Sequence, residues 1–303
     1  ILMYMEAVTH ARKFMSAARR AARAKPVVGI KSGRYAASAL AASSHTGALA
    51  GLDAAYDAAF RRAGVLRVDE LTELAAAAEM LSRTPRLTGE RLAILTNGGG
   101  AGVMAVDRLI DLDGTLAELS PTTIEKLSKV LPPTWSHGNP VDIIGDADEA
   151  RYGAALEVLL GDPGTDAVLV INCPTAIASN VEAAKAVIET SRAVSQNRLR
   201  KKPILANWLG DKSAREAHHL LADASIANFP TPGIAVSGYM QLVAHARAQA
   251  QLMRVPPSQP AGLAPNREAA RHVIYTALKS GRTILSETEA KALLRAYRIP
   301  TVV

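Results

Sequence analysis

A chain of 303 residues is long enough for about two domains. Apolar residues make up 49% and charged residues 21%, an ordinary globular balance that excludes long disordered or collagen-like architectures. The formal charge of +7 favours small anions such as phosphates, carboxylates or coenzyme A over nucleic acid. The basic runs, Arg19, Arg20, Arg23 and Lys25 and then residues 198–202, have no interleaved aromatics on which bases would stack.

Residues 1–5 predict a strand, and residues 10–24 have helical spacing up to Pro26. A buried strand at 27–30 is followed by a small, polar loop at 32–44 and a helix at 48–63, ended by Gly64. A short strand at 65–68 and an Ala-rich helix at 70–81 complete a first unit, and the turn cluster at 85–90 marks a boundary. The second unit reads strand 92–96, helix 102–111, helix 122–130 behind Pro121, a structured loop at 138–142 and helix 152–160. Strand 167–172, helix 181–195, strand 203–208, helix 214–222, strand 227–229 and helix 235–252 follow. The proline-rich stretch 255–265 reads as a linker, and the rest as helix, capping box from Ser286 to Glu289, helix and a last strand at 299–303.

Near-continuous apolar strands alternating with helices predict an α/β fold of doubly wound, parallel, flavodoxin-like sheets. The expected domains are 1–86, 87–254, a linker at 255–266 and a partial domain at 267–303. Both ends read as cut from a longer chain. The single cysteine, Cys173, excludes an intramolecular disulfide and fits a reducing cytoplasm. No apolar stretch reaches the roughly 20 residues that cross a bilayer, and no signal peptide is visible.

In such folds ligands sit at the carboxyl ends of strands, which singles out three loops. The first holds Ser43, Ser44, His45, Thr46 and Gly47 ahead of a helix. Its hydroxyls and amides suit a phosphate beside an imidazole able to act as nucleophile or base. They equally suit an ordinary helix cap, because both uses draw on the same amides. The second is Asn97, Gly98, Gly99 and Gly100, continuing through Ala101 and Gly102. It is neither a Walker loop nor a good dinucleotide fingerprint. Three consecutive glycines lower chain order without a packing return, which favours a bound anion. The third is residues 138–142, where Asn139 and Asp142 flank Pro140 and a self-satisfied turn is the plainer reading. No His, Cys, Asp or Glu spacing suggests a metal site.

Five segments, KPVVGIKSGR at 25–34, SSHTGALAG at 43–51, LTNGGGAGVMAVD at 95–107, GNPVDI at 138–143 and LSETEAKALLRAYRIP at 285–300, occur together in this order. In these the chain resembles the NDP-forming (ADP-forming) acyl-CoA synthetase family of the succinyl-CoA synthetase superfamily. The resemblance implies conversion of acyl-CoA, phosphate and ADP to acid, CoA and ATP through an acyl phosphate and a phosphohistidine. It implies that His45 is that histidine and that Glu6 hydrogen-bonds it. It further implies that residues 97–102 open one of two helices that cradle the phosphoryl group. CoA, and ADP or ATP with Mg, are then expected in a full-length enzyme, with phosphate or sulfate at the His45 site. The family's CoA-binding domain is expected ahead of Ile1 and the body of its ATP-grasp domain after Val303. This segment alone is accordingly expected to be inactive, and a homo-oligomer or a fused multidomain chain is expected. Two other readings stay open: a synthetase-like regulatory region fused to a lysine acetyltransferase, and a non-catalytic anion-binding module.

Overall fold

The computed structural model describes residues 1–35, 38, 52–84, 87–196, 201–254 and 264–302. It divides into two compact units, Ile1–Met253 and Arg254–Val303.

The first unit contains two parallel sheets. Strands β1 (Leu2–Met5), β2 (Val28–Lys31) and β3 (Leu66–Val68) pair in that order, with Met3 opposite Gly29 and Gly29 opposite Arg67. Helices α1 (Ala11–Ala24) and α2 (Asp53–Ala63) form the crossovers and cover one face. There Ala18, Ala22, Phe60 and Ala63 pack on Val27 and Val65. Small side chains on α1 let it sit close to the sheet, and a Cβ on Gly29 would meet Phe60 at 3.3 Å. Gly64 ends α2 at φ 75°, in the left-handed region that glycine enters without steric cost.

The second sheet runs β5 (Thr115–Leu116), β4 (Arg91–Thr96), β7 (Ala167–Asn172), β8 (Ile204–Trp208) and β9 (Ala227–Phe229). A two-residue strand β6 (Val141–Asp142) pairs with the far end of β4, so β5 and β6 share one edge of it in succession. Alternation along β4 divides the core. Ala93 and Leu95 face α5 (Pro121–Val130), α6 (Glu149–Gly161), α7 (Asn180–Gln196) and α8 (Arg215–Asp223). Leu92 and Ile94 face α4 (Gly99–Asp111), α9 (Pro232–Leu252) and α3 (Leu71–Arg83). Helix α3 also covers the second face of the first sheet, where Ala77 meets Val28, Ile30, Leu66 and Val68. The two sheets thus share the α3–α9 layer.

The second unit is a helical pair, α10 (Arg267–Lys279) and α11 (Glu287–Ala296). The expected capping box is present: Ser286 Oγ accepts from Glu289 N–H while the Glu289 carboxylate accepts from Ser286 N–H. The strand expected at 299–303 is corrected: residues 299–302 carry no regular structure, the Ile299 N–H turns back to the Leu294 carbonyl at 3.0 Å, and no partner strand lies beside them among the described residues. Among the described residues no helix is long and apolar enough to cross a membrane.

Candidate functional site

The carboxyl ends of both sheets carry polar groups. At the second sheet, β4 runs directly into α4 through Asn97 and Gly98. Asn97 is buried, and its amide closes a two-way bond with Cys173. Its Nδ2 donates to the Cys173 carbonyl at 2.9 Å, while Cys173 N–H donates to its Oδ1 at 2.7 Å. This carries the β4–β7 pairing one step past the strands. Thr96 Oγ accepts from Gly98 N–H at 3.0 Å. Burial, and then the charge of Asp142, push the Cys173 thiol up, which makes it a poor nucleophile at neutral pH.

The glycines are not equivalent. A Cβ on Gly98 would lie 2.5 Å from Cys173 Sγ, and one on Gly99 would lie 2.7 Å from Asp142 Oδ2. One on Gly102 would press on Thr96 and Pro140. Close packing therefore accounts for those three, against the expectation that the glycine run has no packing return. Gly100 differs, since a Cβ there would meet nothing within 4 Å. The amides of Gly99 and Gly100 have no partner among the described residues. They are the open N–H groups of a 13-residue helix whose dipole favours an anion. The helix starts three residues earlier than the sequence suggests, because Gly98 caps it from an extended conformation.

Asn139 and Asp142 are separated by the structure. The Asn139 side chain fills the gap between β5 and β6 along β4. Its Oδ1 accepts from Ile94 N–H at 2.9 Å, and its Nδ2 donates to the carbonyls of Leu92 and Ala117 at 3.1 and 2.9 Å. That amide acts as a piece of strand and holds the sheet. Asp142 stands beside the helix terminus, with Oδ1 accepting from Ile144 N–H at 2.9 Å and Oδ2 against Gly99.

At the first sheet, Glu6 sits in a half-buried bend after β1. Ser43, Ser44, His45, Thr46 and Gly47 lie outside the described residues. The flanking sequence is held by ion pairs. Arg34 meets Asp69 at 2.5 Å, and Arg67 takes both oxygens of Asp53, the first residue of α2, at 2.7 and 2.8 Å. Between them, at the end of β2, is Lys31, a residue that sequence reasoning missed. It is 2% exposed, its ammonium donates to the Ser32 carbonyl, and it lies 4.7 Å from the centre of the Tyr56 ring. Tyr56 Oη in turn accepts from Val8 N–H at 3.1 Å, which ties the ring to the loop that carries Glu6. The signal available was a lysine closing an otherwise apolar strand, easily taken for a solvated strand end. Among the described residues no group of three or more His, Cys, Asp or Glu side chains is placed to hold a metal ion.

Comparison with known proteins gives a consistent answer. The profile of the succinyl-CoA ligase like flavodoxin domain matches residues 1–81, and that of the ligase-CoA domain matches residues 92–253. An ADP-forming acetate–CoA ligase I of Archaeoglobus fulgidus is 38% identical over 99% of this chain, which covers 41% of that relative. An ADP-forming 4-hydroxybutyrate–CoA ligase of Nitrosopumilus maritimus is 29% identical over 99% of the chain and is 42% covered. Among solved structures, the acetyl-coenzyme A synthetase 1 of Ca. Korarchaeum cryptofilum, in complex with phosphate and ADP, superposes with a TM-score of 0.79 at 34% identity. That match takes in 86% of this chain and 55% of the other. The chain therefore spans about two fifths of the curated relatives named here and just over half of the solved one.

Proposed function

Because the chain belongs to the family of ADP-forming acyl-CoA synthetases, we propose that it is the phosphoryl-transfer region of such an enzyme. In this reading residues 1–86 and 87–254 are its two flavodoxin-like domains, and 267–303 open its ATP-grasp domain.

The reaction runs in three balanced steps. A phosphate oxygen attacks the thioester carbonyl, the C–S bond breaks, and CoA leaves as a thiolate that takes up a proton. A neutral imidazole nitrogen of His45 then attacks phosphorus, and the bond to the acyl oxygen breaks, releasing the carboxylate. Last, an oxygen of the ADP β-phosphate attacks the same phosphorus and the P–N bond breaks, giving ATP and free imidazole. Glu6 is assigned to hydrogen-bond the other ring nitrogen, holding the tautomer and steadying the positive imidazole that forms. The open amides of Gly99 and Gly100 are assigned to the phosphoryl oxygens, with Ser43, Ser44, Thr46 and Gly47 on the other side.

The observation that carries this reading is the pair of unpartnered amides at the carboxyl edge of a parallel sheet, with an unfilled space at Gly100. CoA and nucleotide are assigned to the parts of the full-length protein that its relatives have beyond this chain. Magnesium, expected with the nucleotide, is assigned to those same parts. The segment by itself is expected to be inactive. The acyl group is open, since one relative takes acetate and another 4-hydroxybutyrate.

The test is phosphoryl labelling of the full-length protein with γ-labelled ATP. The expected label is acid-labile and base-stable, and is lost in His45→Ala. An unlabelled wild type, or a label that survives His45→Ala, would overturn the assignment.

A further inference from the structure

Lys31 has a feature that the proposed reaction does not use. Its ammonium is taken out of water at the end of β2 with no carboxylate within 4 Å among the described residues. A lysine head group has three donors. One goes to the Ser32 carbonyl, the Tyr56 ring lies 4.7 Å away, and no further hydrogen-bond acceptor is present among the described residues. Asp53, the α2 carboxylate whose charge acts on Lys31, is held on both oxygens by Arg67. A buried charge left this way is costly unless an anion joins it.

The surroundings specify the anion. Ser32 is fixed to the β1 end, its N–H donating to the Met5 carbonyl at 3.0 Å, one residue before Glu6. Tyr56 walls the ammonium on the α2 side and is itself fastened to Val8. Three facing elements thus hold one cation at the carboxyl end of a parallel strand, where these folds bind ligands. A small oxyanion with several acceptors fits a compact point charge of this kind.

We infer that Lys31 is an anion-binding residue that holds a phosphate or phosphoryl oxygen at the carboxyl end of the first sheet. This deepens the proposed function, because it gives the first sheet its own charge for the group being transferred. Burial is the largest influence on Lys31 and lowers its pKa. Asp53 on α2 and Glu6 after β1 raise it, and Arg67 on β3 lowers it further. With its folded pKa depressed, the lysine loses its charge at a lower pH than an exposed one, and a bound dianion favours the charged form. Anion binding must therefore weaken as pH rises through that lowered pKa.

The experiment is titration of the full-length protein with inorganic phosphate, for wild type, Lys31→Met and Lys31→Arg, followed by calorimetry and by phosphorus NMR. Wild type is expected to show a phosphate-binding event that Lys31→Met weakens at least tenfold or abolishes. Lys31→Arg, which keeps the charge, is expected to stay within threefold of wild type. Wild-type binding is expected to fall as pH rises, at a lower pH than that at which an exposed lysine loses its charge, while that of Lys31→Arg stays level. Unchanged number and affinity of phosphate sites in Lys31→Met, or no phosphate binding by wild type, would overturn the inference. Should Lys31→Met fail to fold, a parallel alkaline decline in wild type and Lys31→Arg would overturn it instead. Labelling of His45 separates the two readings. A His45 label with Lys31-independent phosphate binding sinks the inference alone, and Lys31-dependent binding without that label sinks the proposed reaction alone.

Discussion

The carboxyl ends of the two sheets solve the same problem by opposite means. The second sheet relies mainly on neutral groups engaged by a neighbour, with the Asp142 carboxylate beside them. The Asn97 amide closes on Cys173, the Asn139 amide replaces a length of strand, and Thr96 ties Gly98. What it leaves open, among the described residues, includes a pair of main-chain amides and the buried side-chain oxygens of Asn172 and Asn207. The first sheet uses charge: Arg67 on Asp53, Arg34 on Asp69, and a buried lysine with a spare donor. The contrast teaches where rigidity and where electrostatic field come from. Neutral, fully paired groups fix a backbone surface without attracting ions. Charged groups attract an anion but hold their own elements less tightly, since water competes for partly exposed ion pairs.

The largest stability effect should lie in the neutral corner. Asn139→Ala removes partners from Ile94 N–H and from the carbonyls of Leu92 and Ala117, with Ile94 and Leu92 fully buried. The cost is expected at about 3 kcal/mol, read as a lower urea midpoint with the m-value unchanged. A loss below about 1 kcal/mol would mean that water substitutes for the amide, and the second sheet would then be less self-sufficient than the contrast requires.

The glycines sharpen the comparison at the next level down. Gly98→Ala should cost about 2 kcal/mol, because its methyl has to displace Cys173. The backbone at Gly98, φ −138°, suits any residue, so the strain is steric. Cys173→Ala in the same chain should restore part of it, and a double-mutant cycle measures how much. Gly100→Ala should leave stability unchanged or raise it by about 0.5 kcal/mol, since nothing touches the new methyl. The same variant should slow phosphoryl labelling, because a side chain there hinders close approach of an anion to the open amides. Equal behaviour of the two alanine variants in both assays would remove the distinction between packing glycines and a binding glycine.

Sequence pattern revealed the strands with several neighbours well, because burial on both faces leaves a plain apolar run. The expectation of 167–172 coincides with β7 (Ala167–Asn172), and 92–96 falls one residue short of β4 (Arg91–Thr96). Strands β5 and β6 escaped, since two residues carry no periodicity and both exist only as edge partners of β4. Asn139 beside Pro140 looked like turn chemistry. Its use as a substitute strand depends on where Leu92, Ile94 and Ala117 come together, which local sequence does not encode. The glycine loop was legible as a strand-to-helix corner, but the division of labour within it was not, because Cys173 and Asp142 crowd it from far along the chain. Lys31 was invisible for the converse reason: burial of an end residue is decided by Tyr56 and by the β1 loop.

The smallest expected loss of stability tests the charged corner on its own terms. Arg67 is 14% exposed and its partner Asp53 is 35% exposed, so water is at hand for the carboxylate if the guanidinium goes. Arg67→Gln should therefore cost only about 1 kcal/mol despite two short hydrogen bonds. The sign follows from the neighbours. Asp57 and Asp69 lie 3.8 Å from Arg67 as well, so its removal leaves three carboxylates facing one another at the α2 and β3 ends. Raising salt from 0.05 to about 0.5 M shortens the Debye length from roughly 14 to 4 Å and should shrink the deficit of Arg67→Gln. The deficit of Asn139→Ala, made of neutral hydrogen bonds, should not move. Melting curves of both variants at the two salt concentrations decide it. A salt-independent Arg67 deficit would show that the corner is held by shape and packing, and the division between a neutral sheet end and a charged one would fall.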